Sequence, residues 1–182
     1  RFDKTYTAYL EKVDRPVVTS PLTYTGSRQA CASTDSRILA NNNSATEPGK
    51  YTATFQPKDG YCWSDDGTTD LDAVSWEIVA ADITGVSVQQ SGSLTYTGEA
   101  LQPVVYAQAT VKGGQTKFWK YSTTAGGYSE TIPSFTDAGT YMVYYEVSAQ
   151  YHNSVKGSFT VTVNRATTAS VSLSRNWLPY TG

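Results

Sequence analysis

The sequence predicts an all-β protein made of successive copies of one small two-sheet domain, and two observations support this prediction. The first is a recurring string: Leu-Thr-Tyr-Thr-Gly begins at Leu22 and again at Leu94, and a close copy, Leu-Pro-Tyr-Thr-Gly, begins at Leu178. The spacing between copies exceeds the roughly 20 to 50 residues of helical solenoid repeats and suits whole β domains. The second is composition: fourteen Tyr, with abundant Thr, Ser, Val and Gly, are typical of half-buried strands and tight turns.

Composition also limits the classes of function. A hydrophobic content of 39% is enough for compact cores. The apolar runs, such as residues 104–107, are only a few residues long, so we expect no membrane insertion within this segment. Lys and Arg number 14 against 16 Asp and Glu, for a net charge of −2, and they are scattered singly. We therefore expect no nucleic acid partner.

The first elements in chain order are a short run at the amino-terminal side and repeat one. Residues 1–13 contain an alternating run that is either the last strand of a preceding repeat or the first strand of repeat one. Repeat one is predicted at residues 14–81. Its clearest strand opens at Tyr51 after Pro48 and Gly49, where Pro fixes φ and Gly permits a left-handed turn. Alternation places Tyr51, Ala53 and Phe55 on one face of that strand.

Repeat two is predicted at residues 82–166. Its string Asp-Ala-Gly-Thr-Tyr, ending at Tyr141, aligns with Glu-Pro-Gly-Lys-Tyr, ending at Tyr51. An acidic residue, a small turn and then a Tyr that opens a strand resemble the tyrosine corner of immunoglobulin sandwiches, where the phenol hydrogen-bonds the nearby backbone. This resemblance implies that Tyr51 and Tyr141 have structural roles.

The combined pattern is similar to the tandem bacterial Ig-like repeats of Gram-positive cell-surface proteins. It consists of Leu-Thr-Tyr-Thr-Gly, Asp-Ala-Gly-Thr-Tyr-x-Val-Tyr-Tyr, Tyr-His-Asn and Gly-Ser-Phe-Thr-Val-Thr-Val-Asn, and residues 60–65 and 76–78 resemble a sister subtype. The resemblance covers nearly the whole chain. It implies tandem immunoglobulin-like β-sandwich domains, an extracellular location at the cell surface or cell wall, and neighbouring repeats of the same chain as partners. It leaves the function open, because such modules serve as stalks, adhesive domains and appendages of wall enzymes.

The two cysteines, Cys31 and Cys62, both lie in repeat one. An even number of cysteines in an extracellular-looking domain favours a disulfide between them. The alternative is two buried free thiols, because repeat two contains no cysteine and is expected to fold without one.

No pattern in the sequence predicts catalysis, a cofactor or a metal site. His152 is the single histidine, and no spacing supplies it with the partners of a catalytic triad or a two-histidine metal site. The acidic run 65–72 lacks the residue spacing of a calcium-binding loop. We therefore predict that the chain is not an enzyme and binds no cofactor.

Two functional classes remain. The first is a stalk or spacer, which needs only folded modules. The second is an adhesive module that binds a host glycan or host protein through exposed aromatic residues and end loops, with these candidates: Phe118, Tyr128, Tyr144 and Trp177. The spacer is favoured, because scattered surface aromatics are more often cross-strand pairs than binding sites.

The last segment, residues 167–182, has two interpretations. Leu178, Pro179, Thr181 and Gly182 fit the sortase anchoring signal letter for letter, which implies covalent attachment to the cell wall through Thr181. The same string is where a third repeat is expected to start. We favour the start of a repeat, because the internal periodicity predicts it and no apolar tail or basic end follows in this sequence.

Overall fold

The computed structural model describes residues 9–167 of the chain. Within this range the secondary structure consists of strands and a single 3₁₀ turn at Lys112–Gly114. The strands are β1 (Glu11–Val13), β2 (Leu22–Thr23), β3 (Gln29–Ala30), β4 (Ile38–Asn41), β5 (Ser44–Ala45), β6 (Gly49–Pro57), β7 (Tyr61–Trp63), β8 (Asp72–Val79), β9 (Ala81–Asp82), β10 (Thr84–Ser91), β11 (Leu94–Thr95), β12 (Val104–Thr110), β13 (Lys117–Ser122), β14 (Gly139–Ala149), β15 (His152–Asn153) and β16 (Val155–Asn164). The prediction of an all-β fold is confirmed.

The chain forms two compact units, and each unit is built from three separate segments. Of the described residues, the first unit contains 9–87, 108–119 and 146–156, and the second contains 88–107, 120–145 and 157–167. The repeat boundary between residues 81 and 82 stays a prediction.

The first unit contains a four-stranded sheet in the order β2-β8-β6-β4. The central strand β6 pairs antiparallel with both β4 and β8, and Tyr51 lies opposite Trp76. The short strand β2 pairs parallel with β8, with Leu22 opposite Ile78. Along β6, Ala53 and Phe55 are fully buried. This two-residue period follows from the pleat, which turns successive side chains to opposite faces.

The core of the first unit receives side chains from two layers. Val13 of β1, Trp63 of β7 and Cys31, next to β3, face the four-stranded sheet. The sheet contributes the following residues: Ile38, Ala53, Phe55, Trp76 and Ile78. Burying an apolar sheet face against a second layer is what makes a β-sandwich stable. The sandwich prediction is therefore confirmed.

A second, smaller cluster in the first unit lies further along the chain. Ile83, Ala109, Val147 and Ala149 are its buried members, and the half-buried Trp119 packs against them. These residues come from β12, β13 and β14 and from the residue before β10. The first unit therefore has apolar packing outside the sandwich core.

A second four-stranded sheet has the order β11-β16-β14-β13. Its short strand β11 pairs parallel with β16, and Leu94 lies opposite Val163, as Leu22 lies opposite Ile78 in the first sheet. In the second unit, Val143 and Val161 are fully buried. The rings of Tyr121 and Phe159 meet edge to face there, with centroids 6.5 Å apart. From one edge to the other, both sheets thus have the same strand order: the first strand along the chain, then the last, the third and the second.

Candidate functional site: the surface around Tyr24

Tyr51 opens the central part of β6 and fixes the turn that precedes it. Its hydroxyl group donates a hydrogen bond of 2.7 Å to the backbone carbonyl of Glu47. Its ring stacks on Trp76, with centroids 4.8 Å apart and an interplanar angle of 29°. The phenol therefore ties the strand to the turn before it, while the ring packs on the neighbouring strand.

Tyr141 has the same arrangement in the second unit. Its hydroxyl group donates to the backbone carbonyl of Asp137 at 2.8 Å. Its ring stacks on Phe135, with centroids 4.3 Å apart and an interplanar angle of 22°. The two tyrosines that the resemblance selects thus make the same hydrogen bond, each to the residue four positions earlier.

Tyr24, from the first copy of the recurring string, is buried in the first unit with 3% of its surface exposed. Its amide donates to the carbonyl of Val79 at 2.9 Å, which extends the pairing of β2 with β8. Its hydroxyl group accepts a hydrogen bond of 2.8 Å from the side-chain amide of Gln115. Its ring packs on Tyr151 at 5.1 Å and meets His152 edge-on at 5.6 Å. Residues distant in sequence therefore converge on one ring.

His152 is held in this site by both ring nitrogens. Nε2 accepts a 2.8 Å hydrogen bond from the backbone amide of Lys112. Nδ1 lies 2.7 Å from the carbonyl oxygen of Gln150. Because Nε2 accepts, the proton is on Nδ1, which donates to Gln150. This arrangement needs the neutral imidazole. The structure buries His152 in the short strand β15.

The strand of His152 also pairs with the backbone around Ala81. His152 lies opposite Ala81 in the parallel pair β9–β15. The amide of Ala81 donates to the carbonyl of Tyr151 at 3.0 Å. The side-chain amide of Asn153 donates to the Asp82 carboxylate at 2.7 Å. Residues 151–153 are thus hydrogen-bonded to residues 81–82 in the first unit.

Two glycines let the backbones approach closely beside Tyr24. Gly26 has a φ of +86° and Gly113 a φ of +64°, both in the left-handed region. A Cβ atom on Gly26 would overlap the Cα of Gly113 and lie 2.7 Å from its amide nitrogen. A Cβ on Gly113 would lie 2.6 Å from the hydroxyl oxygen of Tyr24. Only glycine fits at either position.

We call Tyr24 together with Gln115, Tyr151 and His152, which pack on it, the Tyr24 surface. Tyr151 connects this surface to the corner of Tyr51. Its hydrogen bond with Glu47 is the main cause that raises the pKa of the Tyr151 phenol, followed by burial. The carbonyl of the same Glu47 accepts from Tyr51. Tyr151 has a φ of 64°, which is uncommon for a residue with a side chain. The contacts with Glu47, Tyr24 and Ala81 offset the cost of this conformation.

The acidic loop after β7 is paired with a cation. The guanidinium group of Arg15 makes ion pairs with Asp65 at 2.9 Å, Asp66 at 2.6 Å and Asp72 at 3.4 Å. It also lies over the Trp63 ring, 4.7 Å from the centroid. Backbone and hydroxyl hydrogen bonds from Thr68, followed by the bond from Arg15, lower the pKa of Asp66. In residues 9–167 no group of three or more metal-ligand side chains could hold a metal ion.

The two cysteines are buried free thiols in the structure. The disulfide that the sequence favours is not formed. Cys31 follows β3 and its amide donates to the carbonyl of Asn43, whereas Cys62 lies in β7 opposite Lys12. Burial raises the pKa of the Cys31 thiol. An even number of cysteines is typical of an oxidising compartment, but it does not show that two cysteine side chains lie within bonding distance.

The candidate ligand-contact aromatics differ in exposure. Phe118 on β13 is 53% exposed. Tyr128 and Tyr144 are half-buried, and Tyr128 has an interaction partner within the chain. Trp177 lies outside the described residues, as do Leu178, Pro179, Thr181 and Gly182. Of these aromatics, Phe118 is the best placed to meet a ligand.

The comparisons with known proteins leave the family open. No family model matches the chain, and no curated protein matches it. Among solved structures, the chain is similar to the fibronectin(III)-like modules of Clostridium thermocellum CbhA, with 13% sequence identity, a TM-score of 0.34, and coverage of 88% of this chain and 100% of that chain. In the part of the chain that the structure describes, no helix has the length and apolarity to cross a membrane.

Sequence reasoning misses most residues of the Tyr24 surface. Tyr24 belongs to the recurring string, and that recurrence is the signal that could have identified it. Tyr151 and His152 belong to the Tyr-His-Asn string of the resemblance, whereas Gln115 carries no such signal. No pattern predicts their contacts with Tyr24, because these contacts join residues far apart in the chain.

Proposed function

We propose that the chain is a non-catalytic, surface-exposed repeat module that acts as a stalk or spacer in a bacterial cell-wall or adhesin-type protein. The observation that carries this proposal is the recurrence of one structural plan. Both four-stranded sheets have a short strand parallel to the last long strand, followed by the strand of the corner tyrosine. Tyr51 and Tyr141 make equivalent hydrogen bonds. A repeated structural unit is what a spacer requires.

The Tyr24 surface supports the same proposal. A spacer works only if successive modules are fixed to each other, because a flexible link absorbs displacement. Tyr24 and Ala81 belong to predicted repeat one, and they contact Tyr151 and His152, which belong to predicted repeat two. These contacts are buried and hydrogen-bonded, so they resist bending at the link.

The location and partners belong to the proposal as well. We place the chain outside the cell, at the cell surface or cell wall, with neighbouring repeats of the same polypeptide as its first partners. The near-neutral net charge of −2 is consistent with this location, since it gives no attraction to nucleic acid.

Pulling the full chain from both ends in a single-molecule force experiment tests the modular proposal. Two modules should unfold in two separate steps, each lengthening the chain by on the order of 20 to 30 nm, given about 3.5 Å per extended residue. A single step on the order of 50 nm would show one cooperative domain and contradict the proposal.

An adhesive role is the second candidate, and the exposure of Phe118 favours it. An exposed aromatic ring can stack on a sugar or enter a pocket of a host protein. A glycan and host-protein binding screen on the full chain separates the two functions. Binding that is lost in Phe118→Ala but kept in Met142→Ala would favour adhesion, because Met142 is 54% exposed and Phe118 53%. No binding is the expected result for a spacer.

A further inference from the structure

The second unit contains a counterpart of the Tyr24 surface. Tyr96 occupies the same place in the recurring string, and its amide donates to Asn164 at 2.8 Å, as the amide of Tyr24 donates to Val79 at 2.9 Å. Leu94 pairs with Val163 as Leu22 pairs with Ile78. By this register, Tyr96, Gly98 and Ala166 correspond to Tyr24, Gly26 and Ala81.

The two surfaces differ in whether they are covered. Tyr24 is 3% exposed, whereas Tyr96 is 41% exposed. Ala81 is buried, whereas Ala166 is exposed. Among the described residues, a Cβ atom on Gly98 would meet only the Tyr96 hydroxyl oxygen, at 4.0 Å. Within residues 9–167, the same backbone surface is therefore packed in the first unit and open in the second.

The open surface is a shallow pocket with the chemistry of the filled one. Its volume is about 450 Å³, and it is lined by Tyr96, Asp137, Ala138, Arg165 and Ala166. Asp137 corresponds to Glu47, because each carbonyl accepts the hydrogen bond of a corner tyrosine. In the first unit, Glu47 is also the hydrogen-bond partner of the Tyr151 hydroxyl. A phenol donor entering this pocket would find a carboxylate in the equivalent place.

We infer that the pocket around Tyr96 is the docking site for a further repeat of the same kind, which follows Ala166 in the same polypeptide. The inference rests on the proposed modular function. The occupant is a turn with a tyrosine and a neutral histidine, like Tyr151 and His152, and a glycine like Gly113.

The register of the filled site indicates why the occupant follows in the same polypeptide. His152 and Asn153 pair with Ala81 and Asp82, and the chain continues from Asp82 directly into β10. Residues 81–82, on which the turn with His152 docks, are thus also the link to the repeat that contains this turn. The module that docks on Tyr96 accordingly begins directly after Ala166.

Hydrogen exchange on an extended chain tests this inference. In the extended chain, residues 1–166 are followed directly by a second copy of residues 82–167. The amide of Ala81 is bonded to the Tyr151 carbonyl, so it should exchange slowly in both chains. The amide of Ala166 should exchange at least about tenfold more slowly in the extended chain than in the 182-residue chain.

Matched glycine variants separate docking from backbone strain. In the extended chain, Gly98→Ala should return the Ala166 amide to fast exchange, because its Cβ blocks the incoming glycine. Gly92→Ala should not, since Gly92 also has a positive φ, of +77°, and an open surrounding. In the 182-residue chain, Gly26→Ala should expose the Ala81 amide, and Gly67→Ala, at φ +72° in open space, should leave it protected.

Three outcomes would overturn the docking site: unchanged exchange of the Ala166 amide on extension, slow exchange before extension, or equal loss of protection in Gly92→Ala and Gly98→Ala. None of them removes the spacer proposal if the chain still unfolds in two steps under force. A single unfolding step would instead remove the modular function on which the inference rests.

Discussion

Tyr51 and Tyr141 show how one phenol can determine a local fold. Each hydroxyl group satisfies a carbonyl oxygen in the turn before its strand, at 2.7 and 2.8 Å. Each ring stacks on a different partner, Trp76 in one case and Phe135 in the other. The hydrogen bond is therefore the shared element, and the aromatic partner varies.

Removing the two hydroxyl groups alone measures how much these hydrogen bonds contribute to the free energy of unfolding. Tyr51→Phe and Tyr141→Phe keep the stacked rings and lose one hydrogen bond each, so each should lower the free energy of unfolding by about 0.5 to 1.5 kcal/mol. Urea denaturation of the full chain provides the measurement. Tyr9→Phe is the control, because Tyr9 is 91% exposed and should show no change. A loss at only one corner would mean that the two hydrogen bonds are not equivalent.

At the scale of elements, Arg15 joins the segment after β1 to the loop after β7. Its guanidinium group faces three carboxylates and the Trp63 ring. Without this cation, the carboxylates of Asp65 and Asp66 in the loop and of Asp72 at the start of β8 would repel each other. The loop conformation thus depends on a residue that is distant in sequence.

Arg15→Ala should lower the melting temperature, and added salt should recover part of the loss, because salt screens the remaining repulsion between carboxylates. Arg28→Ala is the control. Among the described residues Arg28 makes no ion pair, and its side chain donates a hydrogen bond to the Ser44 hydroxyl group.

The acid response of the Arg15→Ala variant should change too. Hydrogen bonds from Thr68 are the main cause that lowers the pKa of Asp66, and Arg15 lowers it further, so this stabilisation is present above about pH 3.9 and lost as the pH falls. Arg15→Ala should therefore lose less stability between neutral pH and about pH 3. An unchanged acid response would contradict this role.

At the scale of the whole molecule, identical strings meet different surroundings. Tyr24 and Tyr96 occupy the same position of Leu-Thr-Tyr-Thr-Gly, next to the same type of parallel strand pair. Tyr24 is covered by Tyr151, His152 and Gln115, and Tyr96 is 41% exposed. The contributions of Tyr24 and Tyr96 to the free energy of unfolding should therefore differ.

Tyr24→Ala should lower the free energy of unfolding by about 3 to 5 kcal/mol, the range for removing a buried aromatic side chain. Tyr96→Ala should cost about 1 kcal/mol or less, because surface substitutions away from buried contacts have small effects. Chemical denaturation of both variants checks the difference. Equal costs would show that Tyr24 does not depend on the contacts with Tyr151 and His152.

The sequence by itself determined the all-β class and the faces of its long strands. In β6, buried Ala53 and Phe55 follow from alternation, and in β14 the buried Val143 lies beside the exposed Met142 for the same reason. These features are local, because the pleat of a strand imposes a period of two on any half-buried sheet.

Only the tertiary structure decided which residues of the site are covered. The letters around Tyr24 and Tyr96 are the same, so no local property distinguishes them. Burial of Tyr24 comes from Gln115, Tyr151 and His152, and the pairing of Arg15 with the acidic loop likewise joins distant residues. The thiols of Cys31 and Cys62 also remain unpaired despite their even number. Contacts of this kind depend on how the folded backbone brings distant segments together, and local sequence patterns do not encode that distance.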